Sequence, residues 1–330
     1  VSTIKLAVIM GGPSTEHEIS LKSGQAVLDN LDPKKYNVLK VVIDKNEKWL
    51  FGHDPKTHNR DSALRRLKIE SGLVVFIALH GTFGEDGTIQ RILETNQIAF
   101  TGSSSEASKL AMDKEKCNKI YQNSGLQIPV STVIANASDH ALTSLMHAHN
   151  FPVFVKPVSQ GSSVGVHFVK IPDELKAAIR DAFRFDNQVM IQKYIKGREF
   201  SCGVIEETQS GEAYALPPTE LIPLRSEFFD YDAKYSDGGA DEITPPDLPQ
   251  RIIAEIQSMS VVAHRALGCS GYSRSDMILD KSNKPYMIET NTLPGLTPAS
   301  ILPKQVEAAG MSFGNLLDQL IRIAIEHSLV

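Results

Sequence analysis

The sequence predicts an α/β protein that opens with a doubly wound, Rossmann-like domain and continues in a mixed α+β part. Three observations carry that prediction. Ile4–Met10 is an apolar run ending in Gly11-Gly12 and followed by STEHEISLKSGQAVLDNL, the strand–glycine turn–helix opening of a parallel sheet. Val74–Leu79 is apolar throughout, as a strand buried on both faces of such a sheet must be. Far along the chain, Ser275–Asp280 and Pro285–Asn291 read as the two strands of a hairpin around the turn Lys281-Ser282-Asn283-Lys284.

A chain of 330 residues is long for one domain and comfortable for two or three. Its 42% hydrophobic and 22% charged residues are ordinary for a soluble globular protein. A net charge of −5 argues against non-specific nucleic-acid binding. The apolar runs Leu6–Met10 and Val74–Leu79 are far shorter than the ~20 residues of a membrane-spanning helix. No basic segment followed by an apolar signal region opens the sequence, and Cys117, Cys202 and Cys269 are scattered without CxxC spacing. Together these features predict a cytoplasmic protein whose cysteines form neither a metal nor a redox site.

In order along the chain, the strand Ile4–Met10 would hold a ligand beyond its carboxyl end. The turn lacks G-x-G-x-x-G, so a dinucleotide site is unsupported. Glu16 and Glu18 favour the start of the helix that follows. Val38–Asp44 is the next strand, and the charged residues 45–72 carry no recognisable chemistry. Val74–Leu79 runs into a second glycine-rich loop, His80-Gly81-Thr82-Phe83-Gly84-Glu85-Asp86-Gly87. The character changes near Ser103–Met112, and Met112-Asp113-Lys114 enters a helix carrying several lysines.

After Ile128–Ala135 and a helix around Ala141–His149, the strand Val153–Pro157 carries Lys156. Burying that charge is costly unless an anion waits there. The loop Ser159–Gly165 is small and rich in hydroxyl and N–H donors, fit to close over phosphates. It is no Walker A loop, since G-K-[ST] is missing and Val164–Lys170 continues as a strand. Asp173–Arg184 reads as a helix, Val189–Ile195 as a strand followed by Lys196-Gly197-Arg198-Glu199, and Ala213–Leu224 as strand again. Phe228–Gly239 is a polar, aromatic loop of the length that usually carries function. Pro249–Leu267 is an amphipathic helix, and Met311–Ile325 is a final one whose Leu316, Leu317, Leu320 and Ile321 stripe is core packing.

The hairpin carries the densest chemistry. Side chains alternate along a strand, so Glu289 and Asn291 share one face, and Asp276 joins them if the register brings its face alongside. Two carboxylates and an amide oxygen form the hard oxygen set that Mg²⁺ prefers when phosphates complete its octahedron. Arg274, two residues before Asp276, adds a positive charge to that side. Beyond Asn291 comes a Pro-Gly turn and a helix start near Pro298-Ala299-Ser300, a site suited to a carboxylate or phosphate.

The joint pattern R-x-D and E-x-N-x-x-P-G, at Arg274–Asp276 and Glu289–Gly295, resembles the metal-and-substrate segment of the D-alanine–D-alanine ligases in the ATP-grasp superfamily. Four further signatures agree: GG-x-S-x-E-x-x-x-S at Gly11–Ser20, LHG-x-x-GEDG at Leu79–Gly87, KP-x-x-x-GSSVGV at Lys156–Val166, and Tyr-x-Ala-Lys-Tyr at Tyr231–Tyr235. The resemblance runs from Gly11 to Ser312. It implies an ATP-grasp fold with an N-terminal domain over 1–112, a central ATP-binding domain over 113–203 and a C-terminal domain over 204–330. The implied reaction joins two D-alanines through an acyl phosphate, converting ATP to ADP and phosphate. A homodimer is implied too, with no nucleic-acid or membrane partner.

By the same resemblance, Glu16 holds the first D-alanine's ammonium, supported by Ser162 and Tyr235, and His80 lies on the substrate side. Lys114, Lys156, Ser162, Ser163 and Lys234 surround the phosphates. Gln192, Lys193 and Ile195 line the adenine, and Glu199 takes the ribose hydroxyls. Arg274 and the Gly295 N–H stabilise the tetrahedral oxyanion. Ser300 takes the second carboxylate with Lys234, beside Ile301. Asp276, Glu289 and Asn291 bind two Mg²⁺ ions, with Mn²⁺ as the alternative. No base for the incoming amine is assigned. The chain departs from the family at Gln192, where an acidic residue is usual. The Lys234–Tyr235 pair favours an amine as second substrate. A ligase using D-serine or another amino acid is the nearest rival, decided by the pocket around Leu293, Ser300 and Ile301. A nucleotide-binding module without ligase chemistry is the other, against which the intact set Glu16, Arg274, Asp276, Glu289 and Asn291 argues.

Overall fold

The computed structural model describes residues 3–135, 138–161, 164–224 and 239–328. Its first sheet contains β1 (Ile4–Gly11), β2 (Tyr36–Ile43), β3 (Trp49–Phe51), β4 (Val74–Ile77) and β5 (Ala99–Phe100), in the order β3-β2-β1-β4-β5. Every pairing is parallel except the β2–β3 hairpin. The buried centre of this sheet is the apolar pair β1 and β4, as their unbroken hydrophobic runs require. Helices α1 (His17–Asn30), α2 (Arg60–Ile69) and α3 (Thr88–Thr95) alternate with these strands. Residues 45–72 thus hold β3 and α2. Gly24 lets α1 lie close on β1: a Cβ there would come within 2.5 Å of the Met10 Cβ.

The second sheet is antiparallel. It contains β6 (Ser131–Ile134), β7 (Val153–Pro157), β8 (His167–Val169) and β9 (Val189–Lys193) in the order β6-β9-β7-β8. Helices α6 (Asp139–Ala148) and α7 (Leu175–Ala182) cover one face, where Leu142, Leu175 and Ile179 share a core with Val153, Val155, Val189 and Ile191. The strand expected over Val164–Lys170 shrinks to β8, because Gly165 turns the chain with a φ of +69°.

The third sheet contains β10 (Gly197–Glu206), β11 (Ala213–Ala215), β12 (Thr219–Pro223), β13 (Ala240–Ile243), β14 (Tyr272–Asp280) and β15 (Pro285–Asn291). Its order is β13-β12-β10-β14-β15, with β11 also on β10, and all pairings are antiparallel. Helix α5 (Lys114–Asn123), which follows α4 (Ser105–Met112), packs on it beside α8 (Gln250–Ala266). Their core joins Tyr121, Ile252, Ile256 and Ala263 to Phe200, Met277 and Met287.

A division between residues 203 and 204 would cut β10 in two, whereas the chain passes from the second sheet to the third over Tyr194–Lys196. The last helix, α10 (Phe313–Ser328), buries its Leu316, Leu317, Leu320 and Ile321 stripe in the core of the first sheet, together with Leu302 and Val306 of α9 (Ile301–Ala308). An apolar stripe must find a partner face, and here the partner lies almost the whole chain away.

A polar knot holds the end of β10 against this packing. His264 Nε2 donates to Glu206 Oε1 at 3.2 Å, its Nδ1 pairs with Ser273 Oγ at 2.7 Å, and the Gly271 N–H donates to Glu206 Oε2 at 2.6 Å. Burial alone would raise the Glu206 carboxyl, but the hydrogen bonds from His264 and Gly271 outweigh it and hold the group below the usual carboxylate range. A depressed folded value gives stabilisation that is complete above the ordinary glutamate value of 4.5 and lost as pH falls through the lower folded one. Glu206→Gln should therefore lower the urea midpoint at neutral pH and flatten its decline in acid. Urea titrations from about pH 7 to about pH 3 check this; wild-type and variant curves that stay parallel would refute it.

Candidate functional site

The hairpin at the heart of the site is irregular where it matters. Asp276 lies opposite Glu289 and Arg274 opposite Asn291, but Met277 lies opposite Met287, so Ile288 is an extra residue on β15. Met287 and Thr290 are both buried, with Ile288 and Glu289 consecutive and half-buried between them. Strict alternation from the core residue Met287 would send Glu289 and Asn291 into the core. The bulge resets the phase, as bulges do, and places both on the face of Arg274 and Asp276. Behind them Thr290 Oγ1 receives the Tyr121 hydroxyl at 2.8 Å and meets Ser275 Oγ at 2.9 Å, which ties α5 to the back of β15.

Arg274 holds Asp276 through Nε–Oδ1 at 3.0 Å and Nη2–Oδ2 at 2.8 Å, the planar two-point pairing guanidinium favours. Ser201 of β10, in register with Asp276, donates to Oδ1 at 2.6 Å. Glu199, two residues earlier on β10, shares this face. Asp276, Glu289 and Asn291 are an oxygen-only set able to hold a hard divalent cation. Among the described residues no cluster of three or more His, Cys, Asp or Glu could hold a metal. A cation here would therefore complete its shell with the Asn291 oxygen, a ligand's oxygens or water.

A cleft of about 840 Å³ opens over this face. Glu16, His80, Lys114, Arg274, Glu289, Asn291, Gly295, Ser300 and Ile301 all line it, although they are spread over the whole chain. Glu16 stands at the start of α1 and is only 4% exposed. The loop after β4 comes so close that a Cβ on Gly81, whose φ is +72°, would sit 2.5 Å from Glu16 Oε2. His80 Nδ1 donates to the Leu293 carbonyl at 3.2 Å, and its Nε2 pairs with Ser23 Oγ at 2.7 Å. His80 thus fastens the Pro-Gly turn to α1, besides facing the cleft. Ser300 caps α9 by its backbone, but its hydroxyl meets Thr297 Oγ1 at 2.8 Å and makes no cap bond to the helix. Gly295 packs so tightly that a Cβ would lie 2.7 Å from Ser300 Oγ.

On the nucleotide-facing side expected from the sequence, Lys114 (9% exposed) opens α5 and donates from Nζ to the Gln160 carbonyl of the glycine loop. Lys156 (7% exposed) lies in β7 opposite Met190 of β9. Gln192 and Lys193 end β9, and Ile195 follows in the connector to β10. Lys156, Gln192, Lys193, Ile195 and Glu199 are not in the lining of the main cleft. Ser162, Ser163, Lys234 and Tyr235 lie outside the described residues.

Sequence reasoning missed several supports. Ser201, buried on β10, becomes visible only through the β10–β14 register. Gln305 accepts the Gly203 N–H at 2.9 Å and donates to the Ser201 carbonyl at 2.7 Å, fixing α9 on β10. Lys304 pairs with Glu242 at 2.8 Å across the mouth of the cleft. A buried glutamine in an amphipathic helix was the one available signal, since a buried amide needs partners.

Residues 5–103 match the family profile described as D-ala D-ala ligase N-terminus, and residues 120–322 the one described as D-ala D-ala ligase C-terminus. The chain is 37% identical to a D-alanine–D-alanine ligase of Leptospira interrogans over 98% of its own length and 99% of the relative's. It is 39% identical to one of Citrifermentans bemidjiense, covering 97% and 96%. Among solved structures, the D-alanine–D-alanine ligase of Bacillus anthracis complexed with ATP is similar at 30% identity and a TM-score of 0.80, each chain covered to 99%. The VanG D-Ala:D-Ser ligase of Enterococcus faecalis is similar at 32% and 0.83, covering 98% of this chain and 100% of that one.

The hydrogen bonds of His80 give a test. His80→Leu would leave the Ser23 hydroxyl and the Leu293 carbonyl buried without this partner, at about 1–3 kcal/mol for each group so stranded. Urea unfolding should show a loss of roughly 2–6 kcal/mol. A loss below about 0.5 kcal/mol, the scale of an ordinary surface substitution, would show that His80 does not fasten the turn.

Proposed function

The chain belongs to the D-alanine–D-alanine ligase family, and from that membership together with the cleft we infer that it joins two D-alanine molecules into D-alanyl-D-alanine. ATP becomes ADP and phosphate, and the dipeptide serves peptidoglycan precursor synthesis. The observation that carries this reading is the convergence of Glu16, Arg274, Glu289, Asn291 and Ser300 on one cleft from both ends of the chain. It holds a site for an ammonium, a cation, a developing oxyanion and a second carboxylate.

A carboxylate is a poor acylating agent. The first D-alanine's carboxylate oxygen therefore attacks the γ-phosphorus, the bond to ADP breaks, and an acyl phosphate forms. The second D-alanine's amine then attacks the acyl carbon, loses a proton and expels phosphate. Glu16 receives the first ammonium, with Ser162 and Tyr235 as its partners, and His80 keeps the facing turn in place. Lys114, Lys156 and Lys234 draw the phosphates in, and Ser163 binds them too. Gln192, Lys193 and Ile195 border the base, and Glu199 reaches the ribose. Asp276, Glu289 and Asn291 fit Mg²⁺, or Mn²⁺ in its place, as hard oxygen donors. When bound, that ion neutralises charge on the phosphate oxygens. Arg274 and the Gly295 N–H stand where negative charge develops on the acyl oxygen, a role worth ~3–4 kcal/mol per donor in comparable sites. Ser300 and the start of α9 receive the second carboxylate beside Ile301. Closure of the cleft keeps water from the acyl phosphate.

The same reading makes the protein a cytoplasmic homodimer with ATP and D-alanine as its partners and neither nucleic acid nor membrane. No described helix is long and apolar enough to cross a bilayer. Phosphate release with ATP, Mg²⁺ and D-alanine, with products identified by mass, tests the reaction. D-alanyl-D-alanine is the product expected, and release that requires D-serine would move the second-site specificity. Glu289→Gln should cut kcat by roughly 10²-fold or more, the scale seen when one group stabilising transition-state charge is removed. Near-normal kcat at saturating Mg²⁺ would take Glu289 out of the metal site. Ser300→Ala should raise KM for the second D-alanine about tenfold while sparing ATP, as loss of one hydrogen bond to a charged group predicts. An equal rise for ATP would contradict that role.

A further inference from the structure

Gln192 is 3% exposed, and among the described residues its side-chain Nε2 has no hydrogen-bond partner. A buried donor left alone is costly and calls for an explanation. The neighbours on its face do not supply one. Phe154 lies directly opposite on β7 and Ser131 opposite on β6, and Ser131 Oγ already accepts Asn118 Nδ2 at 3.2 Å. Met190, two residues earlier, meets the same Asn118 through sulfur at 3.8 Å. Asn118 stands one helical turn after Lys114 on α5, and Lys156 lies opposite Met190. The orphaned amide therefore shares a side with both buried lysines, at the crease where the chain crosses from the second sheet to the third. Beside it Phe154, Phe168 and Tyr194 form an aromatic group with ring centroids 4.9–5.9 Å apart, suited to a flat heterocycle.

With Gln192 bordering the base as read above, we propose that its amide makes the site accept a 6-oxo purine as well as adenine. This rests on the reading above that the phosphates lie at Lys114 and Lys156, which leaves the base along this face. An amide carries a carbonyl and an NH₂ on one rotatable end. Turned one way it accepts from adenine's 6-amino group; turned the other, it donates to the 6-carbonyl of hypoxanthine. A carboxylate at this position could only accept. The residue therefore sets a nucleotide tolerance that a carboxylate would abolish.

Displacement of a fluorescent ATP analogue by ATP and by inosine triphosphate, on the full chain with Mg²⁺ at about pH 8, where a carboxyl is ordinarily ionised, reads this without turnover. Wild type should bind the two within about tenfold of each other. Gln192→Glu should weaken inosine triphosphate by roughly tenfold or more relative to ATP, since a buried carbonyl then meets an acceptor. Gln192→Leu, which keeps the volume but neither polar group, should weaken both alike. Thermal melts of each variant show whether it folds, and the wild-type ratio stands by itself if Gln192→Glu does not. Wild-type discrimination above about a hundredfold overturns the proposal, as does an unchanged ratio in a folded Gln192→Glu. If ATP binds and supports D-alanine-dependent phosphate release while inosine triphosphate does not bind, this inference alone falls. If ATP itself does not bind, the proposed function falls with it.

Discussion

The site depends on the bulge that β15 makes at Ile288. If β15 ran through Ile288 in strict alternation, without the bulge, the strand that sends Met287 into the core would send Glu289 and Asn291 there as well. Two polar groups would then displace apolar packing against α5 and α8, at a cost no single hairpin could offset. With the bulge, Met287 and Thr290 face the core and the carboxylate and amide face the cleft. The irregularity is what allows one short strand to serve both a hydrophobic core and a charged site.

Holding that face in position is the work of long-range polar contacts. Ser201 reaches Asp276 from β10, Tyr121 reaches Thr290 from α5, Gln305 pins α9 to β10, and His80 pins the Pro-Gly turn to α1. Each joins residues far apart in sequence, and each uses a buried group that would be costly if left alone. The floor of the cleft is thereby fixed from several directions, which a reaction between two small amino acids requires, because a small displacement of reacting groups is expensive.

Charge is arranged with the same economy. Asp276 is matched by Arg274 through two parallel hydrogen bonds, so a carboxylate and a guanidinium can stand close together near the cleft. Lys114, which lines the cleft, and Lys156, which lies outside its lining, are both buried, and a desolvated cation gains most from an anion.

Much of this was legible in the residues. The apolar runs of β1 and β4 and the glycine turns after them define a parallel sheet, because only a strand buried on both faces dispenses with alternation. The motifs around Glu16, His80 and Arg274–Gly295, read through the resemblance to the ligase family, pick out residues that the fold brings to one cleft. A division at 203/204 cuts a ten-residue strand because the residues that open it, Gly197-Arg198-Glu199, read locally as a polar loop. The destination of the last helix was invisible, because an apolar stripe shows that a helix packs and not where. Sequence by itself determined which residues are available to bind and react. Tertiary structure decided which of them meet: the register of β10 on β14 brings Ser201 to Asp276, and the bulge at Ile288 turns Glu289 and Asn291 outward. Register and bulge are set by pairing across distant strands and by what the core will accept, and neither is written in the spacing of one segment.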